Sequence, residues 1–173
     1  MPLLSALSTT APYHLFAYSI LFGSTVYQSF FVGITAYRAL PRQHFSALQL
    51  KIFPPYFAMQ TVVPGFLLLT APFSIASDKL SLSSLVIAGA TGLVNLMYIG
   101  PRTVKLMNLR KAQETKEGKK SYEDDVSEDM KKLNKEFGIV HGISTIVNLG
   151  TLFVTAFYGV ILAEAIVKGF ERL

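Results

Sequence analysis

Residues 15–37 read LFAYSILFGSTVYQSFFVGITAY and contain no Asp, Glu, Lys or Arg. Three more stretches lack these four residue types: 52–77 with 26 residues, 80–101 with 22 and 142–163 with 22. An α-helix rises about 1.5 Å per residue, so about 20 residues cross a hydrocarbon layer roughly 30 Å thick. A helix also satisfies its own backbone hydrogen bonds in lipid. The sequence therefore predicts four membrane-spanning helices.

The composition excludes several classes of protein. Of the 173 residues, 51% are apolar and 16% are charged, and the mean hydropathy is +0.42, whereas about a quarter of the residues in a soluble domain are charged. The absence of cysteine excludes disulfide scaffolds, zinc–thiolate sites, iron–sulfur clusters and thiol catalysis. P-loop, GxGxxG, HExxH and GxSxG motifs are also missing, as is an acidic cluster for a divalent metal. We predict a protein that is not an enzyme and holds no metal.

The basic residues are unevenly distributed. Segment 102–136 contains ten of the 16 Lys and Arg residues, together with eight acidic residues. The connection between the first two spans adds Arg38, Arg42 and Lys51, and the opposite side receives Lys79, Lys168 and Arg172. Because basic residues resist translocation, we predict that both basic connections face the cytosol and that both termini are lumenal or extracellular. The near balance of charge in 102–136 predicts no nucleic-acid binding despite a pI of 9.4.

These features predict an all-α, polytopic membrane protein with one transmembrane domain over residues 1–173. Its architecture is an antiparallel four-helix transmembrane bundle, with a charged cytosolic helical hairpin at 102–136 between helices 3 and 4. The predicted spans lie at about 14–38, 45–71, 80–101 and 137–166. Residues 118–121 are the predicted turn of the hairpin, and Ser127 is the predicted cap of the helix that follows.

Each predicted span carries polar side chains at helical spacing, which places them on one inward face. In the first two spans these residues are Ser24, Gln28, Thr35 and Arg38, and Gln49, Tyr56 and Gln60. In the last two they are Ser84, Thr91, Asn95, Tyr98 and Arg102, and His141, Ser144, Thr145, Asn148, Thr151, Thr155 and Tyr158. Gly89 and Gly92 permit close approach of helices. Two interpretations are open: hydrogen bonding between helices only, or a solvated functional cavity.

A functional cavity would open toward the cytosol and favour a small anion or a lipid head group. Its candidate residues are Gln28, Arg38, Arg42, Gln49, Lys51, Asn95, Arg102, His141 and Asn148. Arg38 and Arg102 are suited to bidentate contacts with a phosphate group. The alternative is that the basic residues only extend to the membrane surface and fix the topology.

The histidines allow a further alternative, in which the protein binds haem or a porphyrin. His14 belongs to the outer end of the first predicted span and His141 to the inner end of the fourth, so the two cannot ligate one iron together. Either could act as a single axial ligand. The other interpretation is a packed, hydrogen-bonded histidine at each position.

Several segments resemble the transmembrane protein 205-like family. They are FVGITAYRALPRQHF at 31–45, LQLKIFPPYF at 48–57, GPRT at 100–103 followed by Met107, and HGIS at 141–144 followed by NLG at 148–150. His14 and Gln28 also match positions in that family's first helix. Gly100 stands where the family has Glu before Pro-Arg, so any role of that acid is not carried over. The resemblance covers nearly the whole chain.

The resemblance implies a four-span protein of eukaryotic endomembranes, such as the endoplasmic reticulum or nuclear envelope, or of the plasma membrane. A mitochondrial membrane is a further location. The family has no established activity, and its distant similarity to copper-resistance and haem-binding porphyrinogen-oxidase proteins supports the haem alternative. We therefore carry three hypotheses: a non-enzymatic binding or trafficking protein for a small solute or lipid head group, a haem-binding or porphyrin-binding membrane oxidoreductase, and an assembly subunit that recruits a protein partner through the 102–136 hairpin.

Overall fold

This computed structural model describes residues 3–71 and 77–170, and every regular element in that part of the chain is helical. We number the α-helices in chain order and name the two π-helical turns π1 and π2. The elements are α1 (Leu3–Leu7), α2 (Ala11–Tyr27), π1 (Gln28–Val32), α3 (Gly33–Ala39), α4 (Arg42–Thr70), α5 (Lys79–Val94), π2 (Asn95–Ile99), α6 (Gly100–Glu117) and α7 (Glu128–Phe170).

Four continuous helical segments are long and apolar enough to cross a membrane. They cover Ala11–Ala39, Arg42–Thr70, Lys79–Glu117 and Glu128–Lys168, and we call them the first to fourth spans. The predicted all-α fold with four membrane-spanning helices is therefore confirmed, and the chain is a multi-pass membrane protein. The predicted turn between the second and third spans includes residues 72–76, which lie outside the described residues, as does Arg172.

The spans surround a common interior. Helix α2 contacts α4, α4 contacts α5, α5 contacts α7, and α7 contacts α2. Only Leu40 and Pro41 separate the first span from the second. His14 of the first span contacts Thr70 of the second, and Thr25 contacts Gln60, so these two spans run antiparallel. Each span therefore has two neighbours that cover its inward face.

Polar side chains lie in the interior, whereas apolar side chains cover the outside. Buried polar residues include His14, Thr25, Gln60, Asn95 and Thr151. Leu69, Ile146 and Phe153, by contrast, are 87%, 71% and 69% exposed. An apolar outer surface of this extent is stable in lipid, where helices associate through small residues and polar contacts instead of hydrophobic burial. The distribution agrees with a protein whose four spans lie in a membrane.

Two π turns change which residues face the interior. The amide of Gly33 donates to the carbonyl of Gln28, and the amide of Gly100 donates to that of Asn95, so each bond joins residues five apart instead of four. The additional residue rotates the rest of the helix by about 100°. The inward-face prediction is therefore wrong for Thr35 and Arg38 beyond π1, for Tyr98 within π2 and for Arg102 beyond it, all of which are exposed. It is also wrong for His141 and Thr145, which are exposed on α7 although no π turn interrupts that helix.

The charged segment 102–136 forms the predicted helical hairpin. Helix α6 ends at Glu117, and Gly118 follows with a φ of 67°, a conformation that glycine adopts without steric cost. The backbone amide of Met130 donates to Ser127 Oγ at 3.1 Å, so Ser127 caps α7 as predicted. The side of the membrane on which the hairpin lies stays a prediction.

Candidate functional site

Three side chains from two helices meet in the interior. Tyr56 and Gln60 lie one turn apart on α4, and Asn148 lies on α7. The Tyr56 hydroxyl donates to Asn148 Oδ1 at 2.7 Å, and Gln60 Nε2 donates to the same oxygen at 3.0 Å. Gln60 Nε2 is also 2.9 Å from Tyr56 Oη. One amide oxygen therefore accepts two hydrogen bonds from another span.

The first span joins this group through two hydroxyls. Asn148 Nδ2 donates to Ser29 Oγ at 2.9 Å, and Gln60 Nε2 lies 3.3 Å from Thr25 Oγ1. The Thr25 hydroxyl donates its own hydrogen to the Leu21 carbonyl at 2.7 Å, so toward Gln60 it acts as an acceptor. Three spans are thus tied together by neutral side chains.

The third span contributes Asn95, the first residue of π2. Asn95 Oδ1 accepts a hydrogen bond from Ser144 Oγ at 2.9 Å, and Ser144 lies one turn before Asn148 on α7. One turn before Asn95, a Cβ added to Gly92 would lie 2.7 Å from the Gln60 carbonyl carbon. Only glycine permits this approach of α5 to α4. We name the seven residues of this group the polar layer: Thr25, Ser29, Tyr56, Gln60, Asn95, Ser144 and Asn148.

Three buried amide atoms have no hydrogen-bond partner among the described residues. They are Gln49 Oε1, Gln60 Oε1 and Asn95 Nδ2. Gln60 and Asn95 are each 0% exposed and belong to the polar layer, whereas Gln49 lies three turns from Gln60 along α4. Buried amide groups are normally paired, because an unpaired one loses its hydrogen bonds to water. These three atoms are therefore able to form hydrogen bonds with a further molecule in the interior.

The candidate residues predicted from the sequence fall into two groups. Gln28, Gln49 and Asn95 are buried and Asn148 is half-buried, and of these four only Asn95 and Asn148 belong to the polar layer. The charged and imidazole side chains are exposed: Arg38, Arg42, Lys51, Arg102 and His141. The structure therefore brings the neutral amides into the interior and leaves the cations on the surface.

Two of the exposed residues contact aromatic rings. The Arg42 guanidinium carbon lies 4.5 Å from the centre of the Tyr122 ring, so the first residue of α4 touches the hairpin. The His141 ring stacks on Phe137, with ring centres 5.7 Å apart. The sequence pattern assigned both Arg42 and His141 to the candidate cavity, but each packs against an aromatic ring instead.

Thr25 and Ser29 belong to the polar layer, but the sequence pattern did not identify them as inward-facing residues. Their offset of four residues is a helical spacing that could have identified them. Sequence reasoning chose Ser24 and Gln28 instead, because these begin a longer series that ends at Arg38. The π turn interrupts that series, so the longer pattern was the misleading one.

His14 has a hydrogen-bond partner at each ring nitrogen. Thr70 Oγ1 lies 3.0 Å from Nδ1 and Tyr158 Oη lies 2.6 Å from Nε2. The Thr70 hydroxyl donates its hydrogen to the Phe66 carbonyl at 2.9 Å, so Nδ1 is the donor and Nε2 accepts from Tyr158. An axial role for His14 would require one of these bonds to break. The geometry thus favours a packed histidine, and the haem alternative stays a prediction.

Arg110 makes the contacts that connect the parts of the hairpin. Its Nε donates to Asn134 Oδ1 at 2.8 Å, its Nη2 donates to Ser121 Oγ at 3.1 Å, and its guanidinium lies 4.5 Å from the centre of the Phe137 ring. Asn134 Nδ2 in turn donates to the Ser121 carbonyl at 2.7 Å. These contacts join α6, the turn and α7, so the hairpin has a defined conformation of its own.

Among the described residues, no group of three or more His, Asp or Glu side chains could hold a metal ion. A family model described as a domain of unknown function, DUF4149, matches residues 16–112. Xanthocillin biosynthesis cluster protein D of Aspergillus fumigatus is 31% identical to this chain over 174 residues, which cover 96% of this chain and 97% of that protein. No solved structure matches the chain. The chain therefore belongs to the DUF4149 family.

Proposed function

We propose that this protein is a non-enzymatic membrane protein that binds a small, uncharged, hydrogen-bonding molecule in the polar layer, as part of a binding or trafficking role. The molecule is a small solute or the uncharged part of a lipid head group. The proposal rests on two atoms of the polar layer, Gln60 Oε1 and Asn95 Nδ2. Both belong to fully buried side chains and have no hydrogen-bond partner among the described residues.

The chemistry of these two atoms selects the ligand class. Gln60 Oε1 accepts hydrogen bonds and Asn95 Nδ2 donates them, so the matching ligand both donates and accepts. Hydroxyl and amide compounds meet this requirement. An anion would gain a bond from Asn95 but would be repelled by the carbonyl oxygen of Gln60, and the exposed cations are not in the polar layer. The interior therefore favours a neutral molecule over a phosphate.

The composition of the polar layer supports a role in binding. Its seven side chains are hydroxyls and amides, and none of them titrates near neutral pH. General acid–base catalysis near pH 7 needs a group whose pKa lies close to that value. The layer can hold and orient a molecule by hydrogen bonding, but it has no group suited to transferring a proton at neutral pH.

The relative in Aspergillus fumigatus adds indirect support. Its name assigns it to a biosynthesis cluster, which makes small molecules the natural ligand class to test first. Membership of the transmembrane protein 205-like family is also part of this proposal, and it rests on the four segments that carry the resemblance.

Ligand-dependent stability tests the proposal. The full chain in detergent is heated with glycerol, myo-inositol or acetamide, and its Tm is compared with that of Asn95→Ala, which removes the unpaired donor. We expect at least one compound to raise the Tm of the unchanged chain in a saturable manner, because ligands that bind only the folded state stabilise it. The Asn95→Ala variant should lose that increase.

Ser144→Ala is the matched control. It removes the bond to Asn95 Oδ1 but leaves the unpaired Nδ2 in place, so the ligand-dependent increase in Tm should remain. Equal increases in the unchanged chain and in Asn95→Ala would be the general effect of an osmolyte and would contradict the proposal. The absence of any increase with all three compounds would also contradict it.

We further propose that the hairpin is cytosolic, that both termini are lumenal or extracellular, and that the protein resides in an endomembrane or the plasma membrane. The excess of Lys and Arg in the first and third connections supports this orientation. Protease protection of terminal tags in sealed vesicles tests it. Cleavage of both tags by protease added from the cytosolic side would reverse the assignment.

A second candidate function is recruitment of a protein partner by the hairpin. The Arg110 contacts give the hairpin a fixed shape, and its exposed surface carries charges of both signs, which suits specific recognition. Crosslinking in native membranes from a photoreactive residue that replaces Lys132 should then give a discrete product. Lys135→Glu, a charge reversal at an exposed position three residues further along the same helix, should weaken it, and an unchanged product would argue against a charge-dependent contact.

A further inference from the structure

A groove lies on the outer surface where the third and fourth spans meet. It has a volume of about 310 Å³ and is lined by Tyr98, Ile99, Arg102, Ile139, Val140 and Ile143. Tyr98 and Ile99 belong to π2, so the groove lies beside the turn that widens the third span. All of its lining residues except Arg102 present apolar or aromatic surface. The groove is separate from the polar layer in the interior.

Arg102 lies at the end of the groove and at the end of an uncharged stretch. Residues 80–101 carry no charge, and Arg102 is the first cation after them. A bilayer whose hydrocarbon layer matches this uncharged stretch would place the apolar part of the groove in the hydrocarbon and the guanidinium at the level of the phosphates. This is the order of chemical groups along a phospholipid, with its acyl chain next to the phosphate.

The Arg102 charge is available for such a contact. Across the described ranges 3–71 and 77–170, the ion pairs involve other cations, and none includes Arg102. The side chain is exposed, so a lipid phosphate can reach it. A planar guanidinium can donate two parallel hydrogen bonds to one phosphate group.

We propose that this groove binds an anionic phospholipid, with one acyl chain along Tyr98, Ile139 and Ile143 and the phosphate on Arg102. The apolar lining accounts for retention of the acyl chain. Because zwitterionic and anionic phospholipids both carry the phosphate, the preference for an anionic lipid comes from its net negative charge beside an arginine without an ion pair. The site is independent of the polar layer, since the two share no residue.

Competition between two lipids tests the proposal. The full chain in detergent is incubated with equal amounts of palmitoyl-oleoyl phosphatidylserine and palmitoyl-oleoyl phosphatidylcholine, and bound lipids are counted by native mass spectrometry. We expect the unchanged chain to retain phosphatidylserine preferentially. Arg102→Gln should lower the ratio of bound phosphatidylserine to phosphatidylcholine about five-fold, the value of one cation near a membrane surface.

Arg38→Gln is the matched control, because Arg38 is also exposed but does not line the groove. Arg38 lies four residues before Arg42, which contacts Tyr122 of the hairpin, so it belongs to the same end of the structure as Arg102. It should leave the lipid ratio unchanged. Ile143→Trp fills the groove and should reduce retention of both lipids alike. An unchanged ratio in Arg102→Gln, or an equal decrease in Arg38→Gln, would overturn the proposal. Both arginine variants change exposed side chains only, so the comparison does not depend on whether Ile143→Trp folds.

Discussion

Replacing Asn148 by leucine should destabilise the protein more than any lipid-facing substitution on the same helix. Asn148 accepts bonds from Tyr56 and Gln60 and donates one to Ser29, so the change removes three contacts between spans. Hydrogen bonds between membrane helices contribute about 0.6 kcal/mol each and up to about 1.7. The expected loss in free energy of unfolding is therefore about 2 kcal/mol.

The assay is reversible unfolding of the full chain in mixed micelles, with helicity followed by circular dichroism. Ile146→Leu is the control, because Ile146 is 71% exposed and faces away from the interior. A double-mutant cycle with Tyr56→Phe isolates the bond shared by Tyr56 and Asn148, with an expected coupling of about 0.6 to 1.7 kcal/mol. A loss no larger than that of Ile146→Leu, or zero coupling, would refute the view that the polar layer ties the spans together.

Three further predictions concern other parts of the structure. Gly92→Ala should reduce the free energy of unfolding by about 1 to 3 kcal/mol, because its Cβ would overlap the Gln60 backbone. Gly142→Ala should not reduce it, because nothing lies within 4 Å of a Cβ added there. Equal effects of the two substitutions would contradict this packing. The Ser81 hydroxyl and amide lower the pKa of Asp78 below its ordinary value of 3.8. The stability advantage over Asp78→Ala should therefore be complete above that value and disappear as pH falls through the lowered pKa, so an advantage that grows on acidification would be inconsistent. Arg110→Ala should speed amide hydrogen exchange over residues 118–127, since it removes the bonds to Asn134 and Ser121. Lys111→Ala changes an exposed side chain and should leave exchange unchanged. Unchanged exchange in Arg110→Ala would show that Arg110 does not hold the hairpin together.

The number of spans follows from the sequence because it depends on one long-range property, the absence of charge over 22 residues or more. The hairpin follows for a related reason. Glycine at 118 and serine at 127 are local signals whose effect does not depend on distant contacts. Gln49, Tyr56 and Gln60 also face inward as their spacing predicts, since no π turn interrupts α4.

The composition of the candidate site was less predictable. A π turn is a change of one residue in the hydrogen-bonding pattern, and nothing in the local composition at Gln28 or Asn95 specifies it. It rotates every later residue of the helix by the same angle, so Arg38 and Arg102 lie on a different face from the one their spacing predicts. The contacts of His14 with Thr70 and Tyr158 join residues 56 and 144 positions apart, which helical spacing within one segment cannot reveal.

The central claim is that the outward apolar faces contact lipid while the polar side chains lie between the spans. The chain has no cysteine, so single cysteines can be introduced for spin labels without background. In lipid vesicles, labels at 146 and 153 should collide more often with oxygen than with a water-soluble nickel complex, and a label at 132 in the hairpin should show the reverse. Greater access of the nickel complex to 146 and 153 would contradict the account.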